Sequence, residues 1–163
     1  MNKKTETNNT CTFSERFLDV ITLLTFIFTV LFLFIQWNTM PEKVPIHYNE
    51  MGKVDRLGFK AELFLLPLIG TIIWIGMSIL EKYPHLYNYM NLTEENKEQQ
   101  YKNGRMMVNV LKNEVVLLFS FLIVQSVHVA NGTSEGLGVA FDPVLLIVMM
   151  GTIVFFIVRM LRA

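Results

Sequence analysis

A chain of 163 residues with no formal net charge, 52% hydrophobic and only 17% charged residues, has a mean hydropathy of +0.41. That balance excludes an ordinary soluble domain, whose helices would interleave charges at amphipathic spacing, and it offers no basic excess for binding nucleic acid. The charges are instead cleared from long blocks, which makes lipid the solvent for much of the molecule.

Residues 1–12 are polar and rich in Asn and Thr, and read as a disordered tail carrying one free thiol, Cys11. Four apolar blocks follow at about 17–37, 63–80, 115–130 and 144–158, each near the roughly 20 residues a membrane-crossing helix needs. The expected fold is an all-α integral membrane protein, a single four-helix membrane domain over residues 13–163. No cleavage site follows the first block, so it is expected to stay as an anchor. With four crossings, ten Lys and Arg fall on one side and four on the other. The positive-inside rule then puts both termini in the cytoplasm.

In the first block Asp19, Thr22, Thr25, Thr29 and Gln36 share one helix side. Such a stripe turns from lipid, either to hydrogen-bond between helices or to line a polar conduit. The segment from Asn38 to Glu62 is held extended by Pro41 and Pro45, turns through Asn49 to Gly52, and runs back as a short hairpin-like loop on the outer face. Pro67 in the second block predicts a kink or hinge, Gly70 and Gly76 allow close helix approach, and Trp74 sits at mid-span, where packing is its expected role.

On the cytoplasmic side Thr93 offers an N-cap for an amphipathic helix running into the third block. Its cations Lys97, Lys102, Arg105 and Lys112 are expected on a solvated face that meets anionic headgroups or a protein partner. The third loop, 131–142, has no Lys or Arg, and its sequon at Asn131 has counterparts at Asn8 and Asn91, all three read as chance matches.

Enzymatic signatures are missing: the chain has no phosphate-cradling loop, metal-binding His pair, Cys cluster or nucleophile elbow. No cofactor is expected and the protein is read as non-catalytic. His47 and His128 fall on the outer side, where Asp55, Glu135 and Asp142 provide carboxylates. They are weak candidates for a metal site, because their spacing gives no ligand pattern.

The segment Met40-Pro41-Glu42-Lys43-Val44-Pro45-Ile46-His47-Tyr48-Asn49, followed by Gly52, Asp55 and Lys60, resembles the Pro-x-x-x-Pro-x-His-x-Asn-x-x-Gly-x-x-Asp loop motif of the SdpI-related bacterial membrane proteins. The resemblance continues through Pro67 to Tyr83, Pro84, Asn88, Tyr101 and Arg105, which are similar to that family's cytoplasmic segment. It implies a bacterial cell-membrane protein of immunity or sensor type, whose outer loop engages an extracellular peptide and whose cytoplasmic side reports to a protein partner. The chain lacks the second membrane half of the full-length immunity protein. An architectural subunit of a larger complex is the alternative, a metal-dependent membrane enzyme or carrier a further one, and Gly and Thr within the spans allow a homo-oligomer.

Overall fold

The computed structural model describes residues 11–163. The expected tail therefore lies outside the described residues except for Cys11 and Thr12, as does the sequon at Asn8. Thr12 belongs to the first helix rather than to a tail. Its hydroxyl accepts from the Glu15 amide at 3.4 Å, while the Glu15 carboxylate accepts from the Thr12 amide at 2.6 Å, a reciprocal cap.

Helix α1, Phe13–Gln36, leads to strands β1, Lys43–Tyr48, and β2, Val54–Phe59, which pair antiparallel. A short 3₁₀ segment, Lys60–Phe64, then opens into α2, Leu65–Leu80. The change from 3₁₀ to α winding falls just before Pro67, so the proline occupies the first helical turn, where a missing N–H is tolerated. After an irregular stretch come α3, Lys97–Ala130, and α4, Phe141–Leu161. Among the described residues, four helices are long and apolar enough to cross a membrane.

At 34 residues, α3 is the longest helix, and α1, α2 and α4 all pack on it. It spans about 50 Å at 1.5 Å per residue, more than the roughly 30 Å hydrocarbon thickness. The chain runs alternately between two ends. At one, the hairpin and the 131–140 loop meet; at the other, the first turns of α3 meet the tyrosine-rich stretch 83–89 at Gly104, the start of α1 through Arg105 and Glu15, and the end of α4 through the bond from Gln100 Nε2 to the Met160 carbonyl at 2.8 Å. The start of α1 and the end of α4 thus share one end.

The buried face of α3 changes character along its length. Towards the hairpin, Ile123 and Val127 join Leu33, Met40, Val44 and Leu63 in a compact apolar core. Towards the tyrosines, Arg105, Asn109, Lys112 and Asn113 are buried. Gly70 earns close packing between helices, since a Cβ there would stand 3.1 Å from the Phe119 ring, whereas Gly76 faces open space and serves no helix contact.

The helix expected from Thr93 starts at Lys97 instead. Thr93 caps the preceding turn, its hydroxyl accepting from the Asn96 amide while the Asn96 side chain accepts from the Thr93 amide.

Candidate functional site

Two constellations stand at opposite ends of α3. The first is the hairpin. Asn49 closes its turn by accepting from the Met51 and Lys53 amides, each at 3.0 Å, and Gly52 takes φ +69, a backbone state that favours glycine. The Gly52 carbonyl accepts from the Leu137 amide at 2.7 Å, and Lys53 bridges to Gly136. A side chain at Gly52 would meet the Gly138 backbone and one at Gly136 would meet the Gly52 carbonyl, so the turn and the third loop fit only because these positions are glycine. Pro45 is buried, Pro41 is exposed, and Lys60 pairs with Glu42 at 3.1 Å while lying 5.0 Å above the Trp37 ring.

These residues are consumed in holding the loop. His47 and Asp55 are different: Nδ1 lies 2.6 Å from the Asp55 carboxylate, and the two side chains remain 60% and 40% exposed. An exposed pair contributes little to stability. It does fix the imidazole, leaving Nε2 as the ring's other polar atom. Beside the hairpin, Tyr48 reaches Ser126 of α3 at 3.0 Å, and a cleft of about 190 Å³ runs between them, lined in part by Ile46, Arg56 and Glu62. Burial pushes the Tyr48 hydroxyl's pKa up, so it stays a neutral hydrogen-bonding group.

The proposed convergence of histidines does not occur. His128 Nδ1 lies 3.0 Å from the Thr133 hydroxyl, His47 is committed to Asp55, and among the described residues no group of three or more His, Cys, Asp or Glu side chains is placed to share an ion. Asp55 holds His47.

The second constellation is a buried charge cluster. Arg105 donates from Nε and Nη2 to the two carboxylate oxygens of Glu15, at 3.1 and 3.2 Å. About two turns further along, Lys112, 1% exposed, sits 2.9 Å from Asp19 and 2.8 Å from Glu81, with its ammonium also 3.3 Å from the Ser78 hydroxyl and 4.9 Å from the Trp74 ring centre. Asn109 and Asn113 both donate to Asp19, at 3.0 and 2.8 Å. Burial pushes the Glu81 carboxyl's pKa up, against the pull of the Lys112 ammonium.

Arg105 and Lys112 therefore do not lie on a solvated face. Each is drawn inward by carboxylates of α1 and α2, because an unpaired carboxylate within the bundle costs far more than a paired one. Lys102 stays exposed, and Lys97 pairs at the surface with Glu94. Both the inward stripe of α1 and Trp74 are accounted for: Thr22 and Thr29 are buried, and Trp74 faces the Lys112 ammonium.

The tyrosine bracket closes this end. Tyr87 donates to the Leu80 carbonyl and Tyr89 to that of the buried Pro84, both at 2.8 Å. Tyr89 also contacts the Tyr101 ring at 5.4 Å, and Gly104 lies directly beneath Tyr87 and Tyr89. Burial raises the Tyr87 pKa to about 12 and that of Tyr89 further. Tyr83 packs edge-on against His85, while Asn88 is exposed.

Residues 24–71, covering the second half of α1, the hairpin and the start of α2, match a domain of unknown function, DUF1648. The chain is also 29% identical over 99 residues to an uncharacterized protein of Archaeoglobus fulgidus, an alignment covering 53% of this chain and 54% of that one. The chain thus spans about half the length of the curated relative it matches. No solved structure matches.

Proposed function

We propose that this is a non-catalytic membrane protein of sensor or immunity type, related to the SdpI proteins, whose hairpin engages an extracellular peptide or envelope ligand. In this reading it sits in the cell membrane with the hairpin outside and the tyrosine bracket in the cytoplasm, where a partner protein reads its state. The observation that carries it is the continuity of α3: one helix bears Ser126, which holds Tyr48 of the hairpin, and Arg105 and Lys112, which hold α1 and α2 together. A ligand that moves the hairpin acts on the charge cluster through a rigid rod. In this reading the Lys112 ammonium, shared between Asp19 and Glu81, is the element whose pairing changes with the hairpin's position.

The His47–Asp55 pair and the adjoining cleft supply a polar recognition surface. The architectural alternative draws on Asn49, Gly52, Pro45 and Lys60, all of which serve the loop's own structure, but it leaves the exposed His47 without a task. The test is growth of a deletion strain, the parent and a His47→Ala strain against secreted antimicrobial peptides of related bacteria, with membrane levels measured by blot. Sensitivity of both mutant strains at equal protein level is expected. Three indistinguishable strains would turn the assignment to the architectural role.

A further inference from the structure

The face of α3 opposite the charge cluster carries a different carboxylate. Glu114 lies two residues beyond Lys112, hence about 200° around the helix, and points to α4, where the Thr152 hydroxyl donates to its Oε1 at 2.6 Å. Thr152 is near the middle of α4, Phe141–Leu161, which puts the carboxylate deep within the span. Its Oε2 is buried and has no hydrogen-bond partner among the described residues.

Glu114 forms part of the wall of a groove of about 470 Å³ between α3 and α4, along with Leu118, Phe121, Phe141, Val144 and Val148. Every other lining residue is apolar, no Lys or Arg is among them, and Phe121 and Phe141 stack at 5.4 Å towards the hairpin end. From Glu114 to Phe121 the groove extends about 10 Å along the helix, taking 1.5 Å per residue.

An ionised carboxylate with a bare oxygen is costly there. A donor carrying positive charge satisfies Oε2 and neutralises the group at once. We propose that the α3–α4 groove is a binding site for an amphipathic cation, a primary or secondary ammonium on an apolar body about 10 Å long, entering from the lipid and pairing with Glu114. Charge complementarity selects this occupant over a lipid tail, which would leave Oε2 unmet. The site is separate from the hairpin and does not depend on its role.

The experiment is equilibrium dialysis of tritiated octylamine against the full chain in phosphatidylcholine nanodiscs, with empty nanodiscs subtracted and tritiated octanol as the neutral comparison. Saturable one-to-one binding of octylamine is expected, at least tenfold weaker in Glu114→Gln, and none for octanol. Val148→Trp fills the groove from the lipid-facing side of α4 without touching the carboxylate, and is expected to abolish binding as well. Equal binding by wild type and Glu114→Gln, equal binding of octanol and octylamine, or no saturable binding to wild type would each overturn the proposal.

Discussion

Lys112 of α3 and Asp19 of α1 meet at 2.9 Å inside the bundle, with Glu81, which caps the end of α2, at 2.8 Å on the same ammonium. One cation therefore joins three helices. Replacing it with Met would leave two carboxylates without their counter-charge, at a cost of roughly 3–5 kcal/mol for a broken buried pair. Lys112→Met should melt markedly earlier in detergent, and adding Asp19→Asn should recover part of the loss. Equal melting of Lys112→Met and wild type would contradict the network.

Gly52 joins the hairpin to the third loop in a conformation an L-residue resists, and its missing Cβ makes room for the Gly138 backbone. Gly52→Ala is expected to undock the turn at a local cost of about 1–3 kcal/mol. Hydrogen exchange at the Leu137 amide, which now donates to the Gly52 carbonyl, should accelerate while exchange in the middle of α3 stays slow.

At the other end, Gly104 leaves space for the Tyr89 hydroxyl, which a Cβ would approach to 2.6 Å. Because that hydroxyl is already committed to the Pro84 carbonyl, Gly104→Val should release the bracket and expose residues 83–96 to limited proteolysis. The cost expected for such overpacking is about 1–3 kcal/mol. An unchanged cleavage pattern would show that the bracket does not depend on this contact.

Tyr87 gives the bracket a pH limit. Its pKa in the folded protein is about 12, against 10.0 for the free side chain, because burial opposes the phenolate. The neutral form is favoured by folding, so the stabilisation is complete below pH 10 and is lost as pH rises through 12. The difference in tyrosinate absorbance between wild type and Tyr87→Phe should titrate near 12; a midpoint at 10 would place the ring in water.

The spans were legible because charge is cleared from them, and the inward stripe on α1 was legible because Asp19, Thr22 and Thr29 keep helical spacing. The destination of Arg105 and Lys112 was not. Helical period tells which residues share a face, but not that carboxylates from segments about ninety residues away, Glu15 and Asp19, stand opposite that face. A signal existed: Arg105, Asn109, Lys112, Val116, Ser120, Ile123 and Val127 keep steps of three and four, matched on α1 by Glu15, Asp19, Thr22 and Thr29. Glu114 escaped notice for a related reason, as the third apolar block begins one residue after it. The hairpin's turn was readable from Asn49 and Gly52, whereas its docking on Gly136 and Gly138 is a long-range fit that no local pattern encodes.

The most direct test of coupling between hairpin and charge cluster uses Trp74, whose ring lies beneath the Lys112 ammonium. With Trp37→Phe it is the remaining one of the chain's two tryptophans. Trp74 emission is recorded in nanodiscs while adding a secreted peptide that inhibits the deletion strain. A saturable shift that His47→Ala abolishes is the result predicted; emission that is unchanged, or that shifts equally in both proteins, would contradict transmission from the hairpin along α3.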